Sequence, residues 1–302
     1  MPDKLQPSIP QNQHGLYFHH VGLTDTGMVR DHNEDAFKIP LDIDEKILQV
    51  KGHLYVLADG MGGHQKGEVA SDVTIRTVSR EYYTAVKKLP NEKVADNLVD
   101  LLDQSIMTAN EEVMDATEGG GTTVVAAVLH DDSLICMNVG DSRAYLLRSD
   151  TMSLISKDHS LVSRLVEMEK ITEEQALTHP RRNVLYQALG QGSDIEIFRY
   201  QTKLKLNDII ILCSDGLWGE VPDQIIKQVL TESKTPLEAA KDLITLANQA
   251  GGNDNITAII VEVSDSPPDS PYQPIEDGAY PPEAARLMPK PDTLPEDDYY
   301  EE

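Results

Sequence analysis

Apolar residues recur along this chain in two patterns. Short runs such as "HLYVLA" (53–58), "SLICMNV" (133–139) and "DIIILC" (208–213) have the length and composition of buried strands. On that basis strands are predicted over 16–23, 35–39, 53–58, 122–130, 133–139, 143–148, 194–203, 208–213 and 255–263. Turn-rich pairs in "LHDDSL" and "VGDSRA" join neighbouring runs as antiparallel hairpins. Over 91–117 the spacing changes: Val94, Leu98, Leu101, Leu102, Ile106, Ala109 and Val113 fall on one face of a helix. A second long helix is predicted over 68–87, and shorter ones over 161–168, 173–177, 222–230 and 237–249. No internal repeat is visible. Runs of strands with helices segregated between them predict an α+β fold, antiparallel sheets covered by helices, rather than a doubly wound parallel sheet.

Composition adds boundaries to this picture. From 265 to 302 the chain carries nine of its seventeen prolines and eleven acidic residues against two basic ones, a net charge of −9. Such a segment buries too little apolar surface to offset the entropy of ordering, so it is read as a disordered tail. It is either solubilising or, through Tyr272, Tyr280, Tyr299 and Tyr300, a docking segment. Residues 1–14 are read as a flexible N-terminus and 15–264 as one catalytic-size domain. The whole chain has 302 residues and a formal net charge of −25, which argues against nucleic acid as a partner and suits metal cations. No apolar run reaches the roughly 20 residues of a membrane span, and no signal peptide is visible, so a cytoplasmic monomer without membrane contact is expected. Cys136 and Cys213 lie inside apolar runs and read as reduced core thiols. Neither has an arginine six positions later, as thiol-dependent phosphatases require.

Chemistry enters where the apolar runs stop. Asp59 follows "HLYVLA", Asp141 follows "LICMNVG", Asp215 follows "DIIILCS", and Asp254 precedes "ITAIIVEV". Each has a Gly or Asn within one position, and one such turn alone would be ordinary. Four carboxylates at the margins of four strands can converge on one rim, where they repel unless a cation sits among them. A hard divalent ion such as Mg²⁺ or Mn²⁺ takes oxygen ligands and retains waters, so a few aspartates and a carbonyl suffice. Gly60 would let the main chain approach such an ion. In "GMVRDHNEDAF", Arg30 offers a planar fork for phosphate oxygens beside Glu34 and Asp35.

With these residues in place the chain resembles the metal-dependent serine/threonine phosphatases of the protein phosphatase 2C family, particularly compact bacterial members. The resemblance covers 15–263 and rests on "RDHNEDAF", "VLADGMGGHQKGEVAS", "GTTVVAAVL", "NVGDSRAYLLR", "KDHSLV", "VLYQALG", "LCSDGLWGEV" and "GGNDNIT", in the family's order. It implies a four-layer αββα sandwich with a metal site at one end. Asp59 would bridge two Mn²⁺ or Mg²⁺ ions, Asp215 and Asp254 would complete the first site, and the Gly60 carbonyl would serve the second. Glu34 and Asp35 match positions that reach the second ion directly or through water, and Arg30 matches the phosphate-binding arginine. Asp141, with Asp215, would hold a third, weaker ion.

Two departures from the family pattern stand out. Met61 replaces a histidine proposed to protonate the leaving alcohol, which leaves that role to water or to His64. Gly219 stands where some relatives carry an acidic ligand, which bears on the third ion. Residues 157–190 correspond to the family's variable flap, where Arg181 and Arg182 could meet an acidic protein surface. The implied activity is direct hydrolysis of phosphoserine and phosphothreonine in proteins by a metal-activated water, with Ser/Thr kinases or their targets among the substrates. Two other readings stay open: an inactive binding module with this fold, and a phosphohydrolase of nucleotides or small metabolites. Neither a lost aspartate nor a phosphate loop ending in Lys-Ser/Thr supports them.

Overall fold

The structure, a computed structural model, describes residues 15–41, 43, 45–62 and 65–267. The 1–14 segment, His64 and the tail beyond 267 lie outside the described residues.

Eleven strands form two antiparallel sheets. One contains β1 (Tyr17–Asp25), β7 (Arg143–Arg148), β8 (Thr151–Leu154), β10 (Ile209–Cys213) and β11 (Ile256–Ser264), in the order β1-β11-β10-β7-β8. The other contains β2 (Asp35–Lys38), β3 (His53–Met61), β5 (Val124–His130), β6 (Ser133–Val139) and β9 (Phe198–Lys203), in the order β2-β3-β5-β6-β9, with the short β4 (Gly121–Thr122) paired to the end of β3.

Period-two alternation explains why the apolar runs are nearly continuous. In β3, Leu54 and Val56 face α2 (Gln65–Val86) and α3 (Val94–Thr117), while Tyr55 and Leu57 point into the space between the sheets. In β11, Ala258 and Ile260 face α7 (Asp223–Glu232) and α8 (Pro236–Ala250), while Ile259 and Val261 join the intersheet core. Both faces of these strands are thus covered, and the result is the αββα sandwich expected from the sequence. Helix ends follow local chemistry as well: the Thr235 hydroxyl accepts from the Glu238 N–H at the start of α8, and Pro236 occupies its first turn.

The structure corrects several predicted elements. The run at 122–130 divides at Thr123: its N–H keeps the in-register bond to the Asp59 carbonyl at 2.8 Å, but the Asp59 N–H turns to Thr123 Oγ1 at 3.0 Å instead of the Thr123 carbonyl. The strand predicted over 194–203 begins only at Phe198, because the residues before it have no ladder partner. Three short elements had no periodic signal: α1 (Glu45–Lys51), β8 and the single-turn α6 (Asp215–Trp218). Residues 157–190 carry α4 (Leu161–Glu167) and α5 (Glu173–Leu177), as predicted to within a residue.

Leu57 is fully buried between the sheets, two positions before Asp59. Leu57→Ala is expected to destabilise the protein by about 2–5 kcal/mol, through lost transfer energy and a cavity the paired sheets cannot close. A urea midpoint unchanged at constant m-value would contradict this packing.

Candidate active site

Strand registers bring the predicted carboxylates to one end of the sandwich. Asp35 opens β2 directly opposite Asp59 in the ladder. Thr123 joins Asp59 at the edge where β5 and β6 end, and Asp141 lies in the following β6–β7 turn. Cys213 pairs with both Arg143 and Ala258, so Asp215 just after β10 and Asp254 just before β11 emerge at that same end.

Neutral donors hold the cluster in place. Oδ2 of Asp35 accepts from the hydroxyls of Ser214 and Thr257, each at 2.7 Å. The Asp59 N–H donates to Thr123 Oγ1 at 3.0 Å, and its carbonyl accepts from Thr122 Oγ1 at 2.8 Å. Thr123 and Ser142 share a hydroxyl contact of 2.6 Å that ties the end of β3 to the turn carrying Asp141. Asn255 straps down the loop between β1 and β2: its side-chain carbonyl accepts from Glu34 N–H at 2.8 Å, and its amide donates to the carbonyls of Thr26 and His32 at 2.9 and 3.0 Å. At the exposed rim Arg30 Nη2 donates to Asp254 Oδ2 at 2.6 Å, the arginine side chain being half exposed.

Gly60 is required by a close approach. A Cβ there would lie 2.1 Å from the Gly67 carbonyl oxygen and 2.7 Å from that of Glu34. Glu34 is itself buried, within 3.2 Å of His32.

Electrostatic cost concentrates at this end. Burial, then the charges of Asp35, Asp215, Asp141 and Asp254, hold the Asp59 carboxyl well above its usual range. Asp141 is likewise raised by burial and by Asp215. Asp35 is pushed up to about 7 by burial, against the two hydroxyl bonds, with Asp215 and Asp254 adding to the rise. Asp215 reaches about 6 through burial and the Asp254 charge, opposed by a hydrogen bond with Asp59 and by Arg30.

Among the described residues no three His, Cys, Asp or Glu side chains are gathered as a ready ligand set. The fit to a hard divalent cation rests on other observations. Oδ1 of Asp35 and Oδ1 of Asp215 are buried without a hydrogen-bond partner, which is costly unless something cationic or wet meets them. The donors are all oxygens, and the Gly60 cradle admits no side chain.

The predicted residues Arg30, Glu34, Asp35, Asp59, Gly60, Asp141, Asp215 and Asp254 are therefore brought to one end of the fold. Arg181 and Arg182 stand exposed on the turn after Pro180. At Gly219 a Cβ would sit 2.6 Å from the Asp215 carbonyl oxygen, so an acidic side chain would need the turn to shift. Sequence reasoning passed over Asn255, Thr257, Ser214 and Thr123, which carry no charge. Their signal was only their position inside "GGNDNIT", "LCSDGLWGEV" and "GTTVVAAVL".

The chain belongs to the protein phosphatase 2C family, whose model matches residues 19–185. That match stops short of Asp215 and Asp254, but similarity to individual members runs further. The chain is 37% identical over 245 residues to the serine/threonine phosphatase stp of Listeria innocua, covering 79% of this chain and 93% of that protein. It superposes on the serine/threonine phosphatase of S. agalactiae with a TM-score of 0.73 and 34% identity, covering 81% of this chain and 99% of the other. It also superposes, at a TM-score of 0.69 and 31% identity, on the catalytic domain of PstP in complex with two manganese ions, covering 82% of this chain and 99% of that one. A protein named PstP occurs in Mycobacterium tuberculosis.

The weakened acidities fix a pH dependence for metal-free protein. Asp35 binds its proton more tightly folded, at about 7, than its ordinary 3.8 allows when unfolded. Its contribution to stability is complete at low pH and is lost as pH rises through that window. In chelator, the thermal midpoint of Asp35→Asn relative to wild type is expected to climb between about pH 4 and pH 7.5. A gap between the two that stays constant with pH would show that repulsion is relieved elsewhere.

Proposed function

We propose that this chain is a protein-serine/threonine phosphatase that hydrolyses phosphoserine and phosphothreonine directly, with Mn²⁺ or Mg²⁺ held among its strand-end carboxylates. The observation that carries the reading is the pair of partnerless buried oxygens, Asp35 Oδ1 and Asp215 Oδ1, in a cluster of mutually repelling acids. Asp59 with Asp215 and Asp254 would hold one ion, and Asp59 with Glu34, Asp35 and the Gly60 carbonyl a second. Asp141 with Asp215 would hold a third ion more weakly, given Gly219. A bound divalent cation supplies charge neutralisation on phosphoryl oxygens and lowers the pKa of a water.

The chain's own residues do the rest. Arg30 uses one donor of its fork on Asp254. Its remaining donors can orient a phosphoryl group opposite the leaving oxygen. Met61 holds no titratable proton, so the leaving alcohol takes its proton from solvent or from His64.

No thiol competes for the nucleophile's role: Cys136 and Cys213 are buried, and burial pushes Cys136 up to about 12. Phosphoproteins are the substrate class, including Ser/Thr kinases or their targets. The 157–190 segment, with Arg181 and Arg182 exposed, would face them. Among the described residues no helix is long and apolar enough to cross a membrane.

Phosphate release from a phosphothreonine peptide tests the assignment. Chelator, Asp215→Asn and Asp254→Asn are each expected to reduce turnover by about a hundredfold or more, with thermal midpoints at or above that of metal-free wild type. Near-wild-type turnover in both variants would refute the proposed carboxylate roles, whereas no turnover from folded, Mn²⁺-loaded wild type would refute the activity.

A further inference from the structure

A second polar arrangement borders the carboxylates, built around Arg143 at the start of β7. Its guanidinium carbon stands 3.7 Å from the centre of the Trp218 ring. Nε and Nη2 grip both carboxylate oxygens of Asp158 at 2.7 to 3.2 Å. Nη1 donates to the Tyr145 hydroxyl at 3.0 Å, which in turn donates to Asp223 at 3.0 Å. The Arg143 and Asp158 side chains are only 19% and 11% exposed, so these charge-assisted bonds are little weakened by water.

Trp218 and Asp158 each lead from Arg143 to the site by their own route. Trp218 closes the helical turn that Asp215 opens, and its indole N–H donates to the Asp141 carbonyl at 3.1 Å. Asp158 lies at the root of the 157–190 segment, which is stitched to the turn before Asp141. Asn138 exchanges hydrogen bonds with the Lys157 backbone at 2.7 and 3.0 Å. The Gly140 N–H donates to His159 Nδ1 at 3.2 Å, and the His159 N–H returns to the Gly140 carbonyl at 2.9 Å. Asp141 and Asp215 repel one another, and a clamp across their two backbones opposes their separation.

We infer that Arg143 is a positioning residue, which through Trp218 and Asp158 locks the root of the 157–190 segment to the Asp141–Asp215 end of the site and sets those carboxylates for a divalent cation. This rests on the phosphatase reading for the class of ion. All three guanidinium nitrogens of Arg143 are engaged by Asp158 and Tyr145, so its role is to hold its neighbours. A movement of the segment's root would be felt at Asp141 through the Asn138 and Gly140 bonds, and at Asp215 through the Asp158 fork and the Trp218 stack.

Trp218 is the chain's one tryptophan, so its emission reports from inside the clamp. The test titrates Mn²⁺ into chelator-treated full-length wild type, Arg143→Lys and Trp218→Phe, with free Mn²⁺ measured by electron paramagnetic resonance. Arg143→Lys keeps the charge but loses the fork; Trp218→Phe keeps a ring face but loses the N–H donor. Both are expected to weaken Mn²⁺ binding about tenfold, as changes one layer behind a ligand do, with kcat recovered at saturating Mn²⁺. Wild-type Trp218 emission is expected to fall in step with occupancy.

Unchanged Mn²⁺ affinity in both folded variants, or emission indifferent to bound Mn²⁺, would overturn the inference. If Arg143→Lys fails to fold, Trp218→Phe decides alone. Phosphopeptide hydrolysis by wild type separates the two proposals. A wild type that binds Mn²⁺ without releasing phosphate removes the phosphatase reading and leaves the clamp, and one that releases phosphate while both variants bind normally does the reverse.

Discussion

Mutual repulsion among half-buried carboxylates is the constraint around which this fold is arranged. Asp35, Asp59, Asp141 and Asp215 each resist ionisation because burial and neighbouring negative charge act together. A cluster of this kind would spread apart if its members sat on loops with independent freedom. Here every member is fixed at, or within two residues of, a strand in one of two packed sheets. The three apolar layers, one between the sheets and one under each pair of helices, provide the opposing force.

The choice of partners follows the same logic. Asp35 is oriented by two hydroxyls and Asp59 by backbone bonds to Thr122 and Thr123. These donors fix geometry without bringing positive charge into the cluster, so its appetite for a cation is retained. A guanidinium group stands one layer out, Arg143 on Asp158. Arg30 is the exception, reaching Asp254 at the solvent rim where a phosphate would arrive. A lysine or arginine placed on Asp35 would relieve repulsion more effectively, and would thereby compete with the metal.

The fold was legible in the sequence because both faces of its central strands are buried, which turns β3, β5 and β10 into apolar runs that turn residues cut cleanly. The aspartates were legible for a related reason: a charge at the end of such a run has to lie at a rim. What escaped notice depends on contacts between distant segments. Asn255 meets Glu34 and His32 across 221 and 223 residues of chain, and nothing local to "NDN" distinguishes a strap from a turn. The single turn α6 and the short edge β8 have too few residues for a periodic signal, and the ladder is interrupted at Thr123 only because its hydroxyl captures the N–H of Asp59 from a strand 64 residues earlier. Sequence pattern registers how a segment meets a core, not which particular partner it meets.

Arg143 shows where that limit matters for function. Its motif, "GDSRA", draws attention to Asp141 as a candidate ligand, while the arginine two positions on reads as an ordinary strand residue. In space the arginine is the more connected of the two, with bonds to Asp158 and Tyr145 and a stack on Trp218. Those contacts join three stretches of chain, the first two separated by β8 and the last two by the rest of the 157–190 segment with β9 and β10. The β7–β10 ladder sets Asp141 near Asp215, because Arg143, two residues after Asp141, pairs with Cys213, two residues before Asp215; what that ladder does not fix is the root of the 157–190 segment or the turn of α6. The clamp fixes both: the Arg143 fork on Asp158 holds the segment's root to β7, and the Trp218 N–H ties α6 to the Asp141 carbonyl.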